Sequence, residues 1–269
     1  MLMNFRFLQT VLPLAGALAL AGCVTEGTGA NLTKFKPLSS QQRTADAARI
    51  KTQLAIEYMN TGDYRAATAS IEEALKNDRK YDMAWLTRAQ IFQYLKVYEK
   101  AEASFKEALK LSPAGAEINN NYGWFLCSVR NNPVAALPYF DKALADPTYP
   151  APEVANLNKG ICNAKLHKYD EAEGFFERAL GINPDFVAVL KERARLWLER
   201  GNIKEADRFF RQYQSRVDVL GADDLLLGWR IARAEEDTHK AYEYEATLRE
   251  HYPYSHELNT IIKGGGNHE

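Results

Sequence analysis

Cys23, Cys127 and Cys162 are the three cysteines of this 269-residue chain, and their settings invite different chemistry. Cys23 closes the run LALAGC (residues 18–23), behind an apolar stretch that begins near Val11. A thiol in that setting can be acylated and become the first residue of a processed chain. The reaction needs small residues ahead of the cysteine to fit a peptidase, and a branched apolar residue three places back. Leu20, Ala21 and Gly22 meet that requirement. Cys127 and Cys162 sit far along the chain, 35 residues apart, and their chemistry depends on whether the fold brings them together. The five histidines are scattered. His251 and His256 are five apart, so they do not share a helix face as a metal pair at i, i+4 would, and no cysteine stands near them.

The apolar stretch could instead be a membrane span or an ordinary export signal. Val11 to Ala21 is eleven residues, broken by Pro13 and Gly16, whereas crossing a bilayer as a helix takes about 20. One positive charge (Arg6), a short apolar core and then small residues have the layout of a secretory signal, for which a cut after Ala19–Ala21 is the plain alternative. LAGC resembles the bacterial lipobox. Residues 1–22 are therefore expected to be a lipoprotein signal peptide, with a lipid on Cys23 as the only covalent group and no other cofactor. Removing them takes away one Arg and no acid, leaving 33 basic and 35 acidic residues. A near-neutral chain has no electrostatic footprint for nucleic acid and no polybasic grip on lipid headgroups.

Residues 24–40, VTEGTGANLTKFKPLSS, lack apolar periodicity and carry Pro37, so 23–40 is expected to be a flexible lipidated tether. As a coil, the 17 residues after Cys23 would reach about 23 Å.

The rest of the chain repeats itself. Ala55, Ala89, Gly123, Gly160, Ala194 and Gly228 recur every 34 to 37 residues, and Ala67, Ala101, Ala136, Ala172, Ala206 and Ala241 run in step 12 or 13 residues later. A helix hairpin brings two axes within about 8–10 Å, and its closest approach has room only for Gly or Ala. Large residues flank those points: Tyr58, Phe92, Leu126, Trp197 and Ile231 on first helices, and Ile71, Phe105, Phe140, Phe176 and Phe210 on second helices. Ala74, Ala108, Ala143 and Ala179 follow the second-helix anchors, where the next hairpin stacks, and Pro113, Pro184 and Pro253 close second helices. At this spacing the aromatics read as core rather than as a cofactor box or a platform for bases.

These residues resemble tetratricopeptide (TPR) repeats, most cleanly in the second, with Trp85, Ala89, Phe92, Tyr98, Ala101, Phe105, Ala108 and Pro113. The expected fold is all-α: a TPR superhelix, or α-solenoid, of six helix-turn-helix repeats over 41–262. The repeats run approximately 48–81, 82–115, 116–152, 153–186, 187–220 and 221–255. The third is stretched by a proline-rich loop, ADPTYPAP (145–152). In the last two, Tyr213 and Leu248 replace the late alanine and Glu245 the aromatic anchor, as befits a terminal repeat with one face to water. Residues 256–262 are expected to finish the last helix and 263–269 to be a disordered tail.

Cys127 and Cys162 then lie on first helices of neighbouring repeats. Free buried thiols are the plain reading. In an oxidising periplasm a close pair is expected to form a disulfide, given an inter-Cα distance of about 4.4–6.8 Å.

Catalysis finds no support. No Gly-rich loop joins a strand to a helix, no Ser/His/Asp grouping has local context, and runs such as EEALKNDRK are solvated helix faces. No enzyme activity, metal or small-molecule substrate is expected.

A lipobox followed by six TPRs, with NNYGWFLC (120–127), ALPYFDKAL (136–144), EGFFERAL (173–180) and LLLGWRIAR (225–233), resembles the PilW/PilF family of type IV pilus biogenesis lipoproteins, the secretin pilotins. The resemblance implies a lipid-anchored outer-membrane protein, on the periplasmic face, that helps the pilus secretin insert, multimerise or stay stable. Val24 after the lipid-bearing cysteine agrees with passage to the outer membrane under the family's sorting rule. An adaptor for another envelope complex, such as cell-wall synthesis, is the alternative.

TPR superhelices present first-helix residues on their concave side. Positions 2, 5, 9 and 12 of the repeats include Ile56, Met59, Met83, Leu86, Trp124, Val154, Leu157, Ile161, Leu198, Leu225 and Trp229. That set is apolar enough to suggest a groove for an amphipathic partner segment, with Ile56 and Met59 of repeat one as the first choice.

Overall fold

A computed structural model describes residues 38–265 of the chain. The signal peptide, Cys23, the tether up to residue 37 and residues 266–269 lie outside the described residues. Among those described there are thirteen α-helices and no strand. They are α1 (Ser40–Asn60), α2 (Tyr64–Asn77), α3 (Asp82–Tyr94), α4 (Tyr98–Leu111), α5 (Ala116–Trp124), α6 (Pro133–Leu144), α7 (Pro152–Lys165), α8 (Tyr169–Ile182), α9 (Ala188–Glu199), α10 (Ile203–Gln214), α11 (Ala222–Ala234), α12 (Thr238–His251) and α13 (His256–Gly265). A π-helical turn, Phe125–Val129, extends α5. Odd and even helices pair as six antiparallel hairpins, α1 with α2 through α11 with α12, each leaning on the next in an all-α solenoid.

The hairpin corners share one device. Gly62, Lys96, Asn131, His167, Gly201 and Glu236, one per repeat, have φ between +49° and +81°. This left-handed residue lets the chain reverse while the following N–H reaches back to an open carbonyl of the helix just ended. Val97 N–H donates to Phe92 O at 2.9 Å, and Asp237 N–H to Ala232 O at 2.9 Å. The next residue often caps the second helix: Asp63, Asn132, Asn202 and Asp237 each accept from a backbone N–H three residues on. Four of the six corner residues are not glycine, so these positions stay hidden from a reading that looks for glycine.

At the crossing of each hairpin the two series of small residues meet, all buried. A Cβ placed on Gly160 would lie 2.5 Å from the ring of Phe176, and one on Gly228 2.7 Å from that of Tyr244. Glycine is there because the helices touch. Phe105, Phe140, Phe176 and Phe210 are fully buried anchors, each worth about 1.5–3 kcal/mol against exposure. In the sixth repeat Tyr244 takes the anchor's place, one residue ahead of Glu245, which instead pairs with Arg249 on the surface. The anchor has shifted rather than vanished.

Ion pairs tie successive hairpins. Arg88 on α3 meets Glu72 on α2 at 2.7 Å, Lys159 on α7 meets Asp141 on α6, and Arg193 on α9 meets Glu173 on α8. Each cation occupies the seventh position of its repeat. The pairs are partly buried, so the cost of desolvating their charges offsets much of their attraction; the aromatic core holds the stack and the pairs refine its register.

The structure departs from expectation at both ends. Ser39 and Gln42 form a capping box that starts α1 at Ser40, so the tether stops short of residue 40 and the first helix begins well before residue 48. Residues 256–262 do not finish α12. Pro253 ends that helix, Ser255 Oγ accepts from Leu258 N–H at 3.1 Å, and a separate helix begins. Leu258 and Ile261 of α13 are buried in the last core cluster, with α11 behind them. A cap helix therefore covers the terminal face, and it carries 263–265, which were expected in the tail.

Candidate protein-binding face

The first helices lie side by side: α1 touches α3, α5 touches α7, α7 touches α9 and α9 touches α11. The residues expected to line a groove divide into two groups along them. Leu86 is 1% exposed and Leu157 8%, and Leu225 is buried as well. These three belong to the core and turn no open face toward the first-helix groove, which corrects their placement in it. Ile56, Met59, Met83, Trp124, Val154, Ile161, Leu198 and Trp229 are half-buried. Met59 leans on the core of the first hairpin, Met83 and Trp124 on that of repeats two and three, and Ile161 on that of repeat four. Ile56 belongs to no core cluster.

Side-chain amides run between these apolar residues. Gln90 Nε2 on α3 donates to Asn121 Oδ1 on α5 at 3.1 Å, and Asn158 Nδ2 on α7 to Asn120 Oδ1 on α5 at 3.0 Å. They cross-link neighbouring first helices and make the floor of repeats two to four amphipathic. Sequence reading passed over them by looking only for apolar residues. The signal was present, since Asn121 and Asn158 hold the same position in their repeats.

Toward the C-terminal end the same face is charged. Lys191 Nζ on α9 lies 2.9 Å from Asp224 and 3.5 Å from Asp223 on α11, and Arg195 also pairs with Asp223. Tyr213 O–H donates to Asp224 at 3.0 Å. Burial works to lower the pKa of Lys191, but the two aspartates carry it above the ordinary lysine value. Burial raises the carboxyl of Glu192 against the pull of Arg195 and Lys191. The pairs that Lys191 and Arg195 make with Asp223 and Asp224 brace repeat five against repeat six. Open apolar surface on this face is therefore richest in repeats one to four.

Between repeats three and four, Cys127 and Cys162 are joined in a disulfide, with their Cα atoms 6.0 Å apart and both residues fully buried. The π turn adds a residue to the winding of α5, so Arg130 N–H reaches five residues back to Phe125 O. Cys127 lies within this turn. Lys165 Nζ on α7 donates to the carbonyl of Cys127 at 3.1 Å. The proline-rich insertion that leads into α7 is pinned at the other end of these helices by Tyr149, which packs among Ala116, Ala143 and Ala155. Burial, aided by Glu117 and Glu153, pushes its phenol up to about 12.

Among the described residues no group of three or more His, Cys, Asp or Glu could hold a metal ion, and no helix is long and apolar enough to cross a membrane.

Comparison with known proteins agrees with this geometry. Tetratricopeptide-repeat family models match residues 52–116, 86–151 and 128–186, and 163–217. The type IV pilus assembly protein PilF of Pseudomonas aeruginosa is 27% identical over 239 residues, 89% of this chain and 92% of PilF. The crystal structure of PilW, described as a widely conserved type IV pilus biogenesis factor, is 57% identical, with a TM-score of 0.73 over 80% of this chain and 98% of PilW. A solved structure of Pseudomonas aeruginosa PilF gives a TM-score of 0.67 at 26% identity, over 82% of this chain and 99% of that one.

Proposed function

Since the chain belongs to the tetratricopeptide-repeat family and is one of the type IV pilus biogenesis factors related to PilW and PilF, we propose that it acts as a non-enzymatic scaffold on which the pilus secretin assembles. The near end-to-end kinship with a pilus biogenesis factor carries this reading. The half-buried apolar stripe on the first helices gives it a physical means. An amphipathic secretin segment laid along repeats one to four would bury Ile56, Met59, Met83, Trp124 and Ile161, with Gln90, Asn121 and Asn158 to meet its polar edge. Deleting the gene should abolish secretin multimers that survive gel electrophoresis of membranes. Normal multimers in the deletion strain would move the chain to another envelope complex.

Ile56 offers the cleanest point of attack, because it is half-buried yet outside every core cluster. Burying such a side chain against a partner is worth about 1.5–3 kcal/mol, so Ile56→Glu should weaken binding at least tenfold at about 1.4 kcal/mol per decade. Its thermal melt should match that of the unaltered chain. Met59→Glu is a poorer test, since Met59 also packs on the hairpin core. Wild-type multimer levels with Ile56→Glu would rule out a groove through repeat one.

The scaffold is proposed to hang from the outer membrane by lipid on Cys23. Two or three acyl chains, at about 0.8 kcal/mol per buried CH₂, anchor stably where one is marginal. Cys23→Ala should release the protein from membranes on cell fractionation. A variant processed and retained like the unaltered chain would refute the anchor.

A further inference from the structure

Ala74, Ala108, Ala143 and Ala179 are fully buried where one hairpin stacks on the next. In repeat five Tyr213 stands at that place, its ring buried and its hydroxyl bound to Asp224. Just beyond it in the chain, the 215–221 loop and α12 bound a cleft of about 630 Å³, walled chiefly by Val219, Leu220, Leu225, Tyr244, Thr247 and Tyr252. The walls are built. Tyr252 O–H donates to Leu220 O at 3.0 Å, and Gln214 Nε2 donates to Tyr244 Oη at 3.1 Å. Val219 at the mouth is 77% exposed, an apolar side chain with nothing over it.

The rim is acidic. Asp218 has no partner among the described residues, and Glu243 meets only the exposed His239, at 3.5 Å. His251 also lines the cleft, and beyond Glu250 at 4.0 Å it pairs with nothing among the described residues. The cleft lies within the size range of side-chain and small-ligand pockets, and its apolar floor beneath the carboxylates of Asp218 and Glu243 selects for charge as well as shape.

We propose that this cleft receives a bulky apolar side chain of a partner segment whose neighbouring residue is Lys or Arg. The apolar side chain would fill the floor against Leu225 and Tyr244 while the cation meets Asp218 and Glu243. The site sits between the 215–221 loop and the last hairpin, outside the half-buried stripe of repeats one to four, and it does not rest on the secretin reading.

Two capped dipeptides test it on the purified chain, acetyl-Phe-Arg-amide and acetyl-Phe-Glu-amide, followed by NMR of the amide signals of Val219, Tyr244 and Thr247. The arginine peptide should move these signals at concentrations at least tenfold lower than the glutamate peptide. Asp218→Asn with Glu243→Gln should erase that preference, and Thr247→Trp should block both peptides by filling the cleft. Val219→Ser, on an exposed loop, should weaken the arginine peptide at least threefold even if the bulkier variant folds poorly. Equal titration by the two peptides, or no shift at millimolar arginine peptide, would overturn the proposal.

Discussion

Replacing Phe176 with alanine is expected to cost about 3–5 kcal/mol of stability. Its ring is buried at the point where α8 crosses α7, lying against the place where Gly160 lacks a side chain. Truncation leaves a cavity between two helices that cannot collapse, since each also packs on a neighbour. The same contact can be attacked from the other side. Gly160→Ala would put its methyl 2.5 Å from the Phe176 ring and 3.2 Å from the carbonyl oxygen of Ala172. Overpacking of this kind costs about 1–3 kcal/mol. In the Phe176→Ala background the clash with the ring is gone and only the 3.2 Å approach to the Ala172 carbonyl oxygen remains, so the two changes should be strongly non-additive. Denaturant midpoints of the two single variants and the double variant give the coupling. Simple additivity would mean that the hairpin is looser here than its geometry states.

Replacing both Cys127 and Cys162 with alanine should lower stability by about 2–4 kcal/mol, as for bridges that close loops of tens of residues. Alanine keeps both buried sites apolar, so the loss reports the covalent link rather than an unsatisfied hydroxyl. The link crosses the one repeat lengthened by a proline-rich insertion, and protease cleavage within 145–151 should accelerate alongside the drop in the denaturation midpoint. Peptide mapping of exported protein without reductant provides the direct check. Two free thiols there would refute the bridge.

The hairpins were legible in the sequence because close approach tolerates only Gly or Ala, and that demand returns about every 34 residues. The corners were less so. A left-handed residue is easy to foresee at Gly62 and Gly201, but Lys96, Asn131, His167 and Glu236 take the same conformation without advertising it. The binding face was legible in part, for a geometric reason. Seven residues are nearly two full helix turns, so positions 2 and 9 of a repeat share a line. Three residues fall about 60° short of a full turn, which swings position 5 toward the neighbouring helix. Leu86, Leu157 and Leu225 all occupy position 5, and all are in the core. The π turn before Arg130 and the cap helix α13 left little trace, since the first depends on an inserted hydrogen-bond phase and the second on a serine that sequence alone does not distinguish from a loop residue.

The left-handed corners also bear on how the chain reaches its fold. Each closes a hairpin from residues inside a single repeat, and the hairpin then meets only its neighbours. Even the covalent bond spans 35 residues. The contact order is therefore low for a chain of this length, and no step waits for distant ends to find one another. Folding can start at any corner and spread outward, with the search that limits it set by one repeat rather than by six.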